Sequence, residues 1–171
     1  MNAESLLARI ASGLAATRLE AVMVGNAAAA LRGAPVTTLD IDFMFRKTRA
    51  NMKKLKCLAD NLQATILKPY YPVSGLYRIV RDDEGLQLDF MSSLHGIRSF
   101  EGLLARAENV SFGKYELWVA SLRDIIKSKR AAGRSRDLAV LEILETTLNE
   151  QEKLEETTRR SPGKGKRKGA R

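Results

Sequence analysis

The chain has 171 residues, 29 of them Lys or Arg and 20 Asp or Glu, for a formal charge of +9. That length suits one domain with a real core, and 44% apolar with 29% charged residues is ordinary for a globular protein. One Cys and one His exclude an internal disulfide framework, an all-Cys zinc site and a Cys2His2 finger.

Residues 3–19 place Leu6, Leu7, Ile10 and Leu14 at helical spacing. Glu4 and Arg9 interrupt this segment, so it lacks the continuous apolar stretch of a signal peptide. No run approaches the ~20 apolar residues of a membrane span. A soluble, cytoplasmic protein with no membrane partner is expected. The run Ala21–Val24 reads as a buried strand ending at Gly25, and the Ala-rich Asn26–Leu31 as a helix stopped by Gly33 and Pro35. Leu39–Phe45 alternates like a strand, with Leu39, Ile41 and Phe43 turned to the core and Asp40, Asp42 and Met44 to the other side.

Met52, Leu55, Leu58 and Leu62 give helical spacing to Lys47–Leu62, where Cys57 reads as a buried thiol. Pro69, Pro72 and Gly75 break the next stretch; Tyr70, Tyr71 and Tyr77 around them either pack a loop or form a base-stacking surface. Leu76–Val80 and Leu86–Met91 read as strands joined by a turn at Asp82-Asp83-Glu84-Gly85. His95, beside Gly96, reads as a loop histidine without a catalytic role. A short helix is expected over Phe100–Glu108, then strands at Val110–Phe112 and Tyr115–Val119, with Trp118 in the core. Helices follow over Ser121–Arg130 and from Ser135 to about Thr158, with Ser121 and Ser135 as N-caps. The order predicts an α+β domain over residues 1–158: a small mixed sheet flanked by helices, with a helical C-terminal part from about residue 121.

The charge is uneven. Arg159, Arg160, Lys164, Lys166, Arg167, Lys168 and Arg171 fall in the last thirteen residues, which hold no acid. Removing those seven from the 29 leaves 22 basic against 20 acidic residues, a charge of +2. Residues 159–171 lack large apolar side chains, so they are expected to be disordered. They read as an arm for a polyanion or as a solubilising tail.

The most informative residues are Asp40 and Asp42. Two apart on a strand, they share a face, where carboxylates either meet solvent or attract a cation such as Mg²⁺. Asp89, between Leu88 and Phe90, repeats the setting. If its strand lies beside the first, three carboxylates converge, a donor set able to hold divalent ions for phosphoryl displacement. One helix upstream, Gly25-Asn26 joins a strand to a helix N-terminus, where a backbone can approach a phosphate. Together these describe a site for a metal-chelated nucleoside triphosphate.

The stretch Val24-Gly-Asn-Ala-Ala-Ala-Ala-Leu-Arg-Gly-Ala-Pro-Val-Thr-Thr-Leu-Asp-Ile-Asp-Phe-Met resembles the nucleotidyltransferase superfamily typified by DNA polymerase beta, nearest the small bacterial AbiEii-type proteins. Gly25, Gly33, Thr37, Asp40 and Asp42 fall at that family's spacing. Leu88-Asp89-Phe90 is similar to its third-carboxylate block. Lys129, Arg136 and Asp137 match its C-terminal block, in which Asp follows Lys by eight residues. The resemblance implies transfer of a nucleotide from a triphosphate to an acceptor, with Mg²⁺ or Mn²⁺ held by Asp40, Asp42 and Asp89. It implies nucleotide binding by Gly25, Asn26, Thr37, Lys129 and Asp137, with Lys129 neutralising the triphosphate and Asp137 either orienting Lys129 or contacting base or acceptor. The acceptor it suggests is RNA, such as a tRNA 3′ end, contacted by Arg134, Arg136 and the basic tail. A toxin role, with an antitoxin protein as partner, also follows from the resemblance. Two positions depart from the family pattern: Asn26 replaces its second Gly or Ser, and Val36 stands where relatives carry Arg. They motivate the alternative, a catalytically degenerate member binding nucleic acid or a partner protein.

Overall fold

The computed structural model describes residues 3–67 and 75–160. Its elements run α1 (Ala3–Thr17), β1 (Ala21–Val24), α2 (Gly25–Leu31), β2 (Ile41–Phe45), α3 (Arg49–Asn61), β3 (Thr65–Leu67), β4 (Leu76–Arg81), β5 (Leu86–Met91), α4 (Phe100–Leu104), β6 (Glu108–Phe112), β7 (Tyr115–Val119), α5 (Leu122–Ala132) and α6 (Ser135–Arg160). The strands form one mixed sheet in the order β3-β4-β5-β2-β1-β7-β6. β1 runs antiparallel to β2 and parallel to β7, and β2 runs parallel to β5. The outer pairs β3–β4, β4–β5 and β6–β7 are antiparallel.

The centre of the sheet is the most apolar part. All four residues of β1 are buried, as a strand covered on both faces requires. Phe43 on β2 and Phe90 on β5 are register partners whose rings stack with centroids 5.0 Å apart. Phe45 meets Phe90 edge-on at 6.0 Å. These three rings are fully buried, and their packing sets the register of β2 against β5. The next pair along, Asp42 and Asp89, is thereby held side by side on the opposite face.

Several sequence expectations change. β2 starts at Ile41, so Leu39 and Asp40 lie before the strand: Leu39 is 95% exposed instead of reaching the core, and Asp40 does not share a strand face with Asp42 as the alternation implied. Trp118 is 41% exposed, because Leu117 and Val119 take the inward positions of β7. Cys57 is exposed beside the buried Leu55 and Leu58. β3 pairs with β4 where only a broken stretch was expected. α4 stops at Leu104, and β6 begins at Glu108. Ser121 caps α5 by accepting from the Asp124 N–H. Ser135 instead lies inside α6, whose first turn closes onto the Arg134 carbonyl through the N–H groups of Asp137 and Leu138. α6 runs to Arg160, so Arg159 and Arg160 belong to a helix; Lys164, Lys166, Arg167 and Lys168 lie outside the described residues, as do Tyr70 and Tyr71. Among the described residues no helix is long and apolar enough to cross a membrane.

Candidate active site

A cleft of about 420 Å³ opens at the ends of β1, β2 and β5, with β4, α5 and the start of α6 completing its walls. It gathers Gly25, Asn26, Asp40, Asp42, Asp89, Lys129, Arg134, Arg136 and Asp137, which are far apart in sequence. Thr37 is exposed and does not line it; its neighbour Thr38 does. Thr38 Oγ1 accepts from the Asp40 N–H at 3.2 Å and donates to the Asp40 carbonyl at 3.1 Å, shaping the chain as it enters β2. Asp40 itself accepts from Gln87 Nε2 at 2.9 Å.

Asp42 is the electrostatic focus. Its pKa is raised from 3.8 to about 6, first by burial and then by the neighbouring charges of Asp89 and Asp40; Lys129 and Arg136 pull the other way. Gly25 closes over it with φ +69°, and a Cβ at Gly25 would lie 2.3 Å from Asp42 Oδ2. The backbone therefore approaches the carboxylate as only glycine permits. Asn26 follows, its buried Oδ1 without a hydrogen-bond partner. A bound ligand carrying a donor would satisfy that oxygen.

Asp89 is 6% exposed and engaged on both oxygens by Arg78, whose Nε and Nη2 donate to Oδ1 and Oδ2, each at 2.7 Å. Reading the residues alone missed Arg78. The signal was present in the hairpin: a turn over residues 82–85 opposes Arg81 to Leu86, which puts Arg78 opposite Asp89. Asp124, 5% exposed in the first turn of α5, was likewise not singled out; it accepts from Arg106 Nη2 at 2.8 Å and from Ser121 Oγ at 3.0 Å.

Lys129 and Asp137 meet across the corner between α5 and α6. Gly133, with φ +64°, caps α5 by donating its N–H to the Lys129 carbonyl. The turn brings Lys129 Nζ to 3.1 Å from Asp137 Oδ1, with side chains 11% and 13% exposed. Lys129 is thus no solvated surface lysine. His95 lies exposed at the rim.

With Arg78, Arg106 and Lys129 committed to Asp89, Asp124 and Asp137, the cleft groups that form no salt bridge among the described residues are Asp40 and Asp42 on one side and the exposed Arg134 and Arg136 on the other. Asp40 and Asp42 fit a hard divalent cation, which would relieve the repulsion that raises Asp42. Asp89 would join them only after yielding its bond to Arg78. Among the described residues no group of three or more His, Cys, Asp or Glu is arranged to hold a metal. Acid on one wall and unpaired guanidinium on the other suit a ligand that carries both a cation and phosphates.

Solved structures share this architecture. The antibiotic-resistance factor ANT(2'')-Ia superimposes with a TM-score of 0.60 at 14% identity, covering 92% of this chain and 91% of that one. A nucleotidyltransferase candidate from Thermotoga maritima gives a TM-score of 0.54 at 19% identity, covering 85% and 92%. An antigenic nucleotidyltransferase-like protein from Paracoccidioides brasiliensis gives 0.56 at 12% identity, covering 85% and 75%. None of the curated proteins matches the sequence. The family model described as "Nucleotidyl transferase of unknown function (DUF2204)" matches residues 3–161 of the 171. The chain belongs to that family, and it is an enzyme of the nucleotidyltransferase class.

Proposed function

We propose that the protein transfers a nucleotidyl group from a metal-chelated nucleoside triphosphate to a hydroxyl of an RNA acceptor. The observation that carries this reading is the register of Asp42 with Asp89, beside Asp40, in the same cleft as Lys129 and Asp137. The acceptor oxygen attacks the α-phosphorus, the bond to the β-phosphate oxygen breaks, and pyrophosphate leaves. Asp89 takes the acceptor proton. Asp40 and Asp42, joined by Asp89, would hold Mg²⁺ or Mn²⁺, which supplies charge neutralisation to the reacting phosphates. Lys129, oriented by Asp137, neutralises the triphosphate, and Asn26 Oδ1 accepts from a nucleotide hydroxyl or amino group. Gly25 leaves Asp42 room beside that nucleotide.

Arg134 and Arg136, exposed at the cleft and in no salt bridge among the described residues, and the basic residues from Arg159 onward support a phosphate-rich acceptor. ANT(2'')-Ia has been solved with adenylyl-2''-tobramycin, so the same fold there handles a small-molecule hydroxyl. A transfer assay with each labelled triphosphate, Mg²⁺ or Mn²⁺ and total cellular RNA decides between acceptors. Label entering RNA with the intact protein and not with Asp40→Asn/Asp42→Asn supports the proposal. Label in small molecules or protein keeps the chemistry and overturns the RNA acceptor. Transfer by the double variant overturns the mechanism.

A further inference from the structure

Arg78 sits where the proposed cation site would take its third ligand. Both Asp89 oxygens accept from the one guanidinium at 2.7 Å, while the Arg78 side chain remains 39% exposed toward the cleft. A bidentate guanidinium is a strong partner for a carboxylate, and it occupies both Asp89 oxygens on the edge a chelating metal would use. The same positive charge lies near Asp40 and Asp42: Asp89, Asp40 and Asp42 all favour charged Arg78, the hydrogen bond to Asp89 most. A dication entering the cleft therefore meets a resident monocation on Asp89.

We infer that Arg78 is a positioning residue that competes with the divalent cation for Asp89, holding that carboxylate aligned until the cation displaces the guanidinium. The inference rests on the nucleotidyl-transfer reading of the site. Arg78 has somewhere to go, since its half-exposed side chain opens into the cleft that would hold the phosphates. Cation and triphosphate would thus be taken up together, the one releasing Arg78 from Asp89 and the other receiving it.

The test is Mn²⁺ binding to the full chain without nucleotide, measured by the loss of the free-ion paramagnetic resonance signal. Arg78→Gln is expected to bind Mn²⁺ at least tenfold more tightly than the intact protein. Arg78→Lys, which keeps the charge but not the fork, is expected to fall between them. Asp40→Asn/Asp42→Asn is expected to lose binding in either background. Equal affinity of intact protein and Arg78→Gln, with binding still lost in the double carboxylate variant, overturns the competition and leaves the metal site standing. Absence of Mn²⁺ binding in every variant overturns both. A second measurement needs no substitution that threatens folding: the Arg78 Nε resonance of the intact protein, identified by its absence in Arg78→Lys, should move on adding Mg²⁺. A signal that stays in place at saturating Mg²⁺ overturns the inference.

Discussion

Asp42 carries a charge that its surroundings resist. Its pKa of about 6, against 3.8 for a free carboxyl, means the folded state holds a proton that the unfolded chain has already released. Stability from this group is therefore highest below about pH 4, falls as pH rises toward about 6, and stays low above that. The gap of about two pKa units corresponds to roughly 3 kcal/mol. Asp42→Asn is expected to stabilise the metal-free protein at pH 7 by roughly 1–3 kcal/mol. At about 2–4 °C per kcal/mol for this size, that is a rise in Tm of several degrees. Thermal melts of both proteins from pH 4 to 7.5 check it: the difference should close at the acid end and open near neutrality. The same variant should lose nucleotidyl transfer. An equal gap at all pH values would show that Asp42 is not the titrating group.

At the scale of elements, α6 is long but lightly anchored. Among its described residues Leu144 alone is buried, at 0% exposure, while Leu138 and Ile143 are 50% and 39% exposed. Leu144→Ala removes that anchor at a cost of about 2–4 kcal/mol. It is expected to speed amide exchange along α6 ahead of the sheet, and to weaken triphosphate binding because Asp137 moves with the helix. Exchange that rises equally in α6 and β1 would show the loss to be global. This helix also marks how far the sequence could be read. Lys129 and Asp137 are eight residues apart, and Gly133 between them signals the corner, so their meeting was legible in outline. The alternation through Leu39 was misleading, because period two says which residues share a face but not where pairing begins. Trp118 was misread for a related reason: β7 buries Leu117 and Val119, and a large apolar residue was assumed to win the inward position. Cys57 failed similarly, since helical spacing near Leu55 and Leu58 does not fix the angle at which a helix meets the sheet.

At the scale of the whole molecule, the site was more legible than its state. Asp42 and Asp89 could be placed in one cleft from their local setting, because each stands among apolar strand residues that the core claims; Asp40 reaches it from the segment before β2, after the exposed Leu39. That Asp89 faces an arginine was legible only by counting back from the turn over residues 82–85, a step beyond the local pattern around either residue. Charge is partitioned on the same scale. Arg159 and Arg160 end α6, whereas Arg134 and Arg136 stand at the cleft. Deleting residues 161–171, which hold Lys164, Lys166, Arg167, Lys168 and Arg171, is expected to reduce the salt dependence of RNA binding by a slope of up to about 3.5, at ~0.7 per phosphate contact for single strands. Titrations of a long RNA between 50 and 200 mM salt check it, and an unchanged slope would exclude the tail from binding.

The length of α6 then acquires a meaning of its own. From Arg136 to Arg160 the helix rises about 36 Å, at 1.5 Å per residue. On the proposed reading it would work as a ruler, with Arg136 at the cleft end and Arg159 and Arg160 at the other. An acceptor shorter than that span would engage one cluster at a time. A longer one would engage both, its second contact forming at the high effective concentration created by the first. Acceptor choice would thus be graded by reach as well as by the chemistry of the hydroxyl, without any base-specific contact.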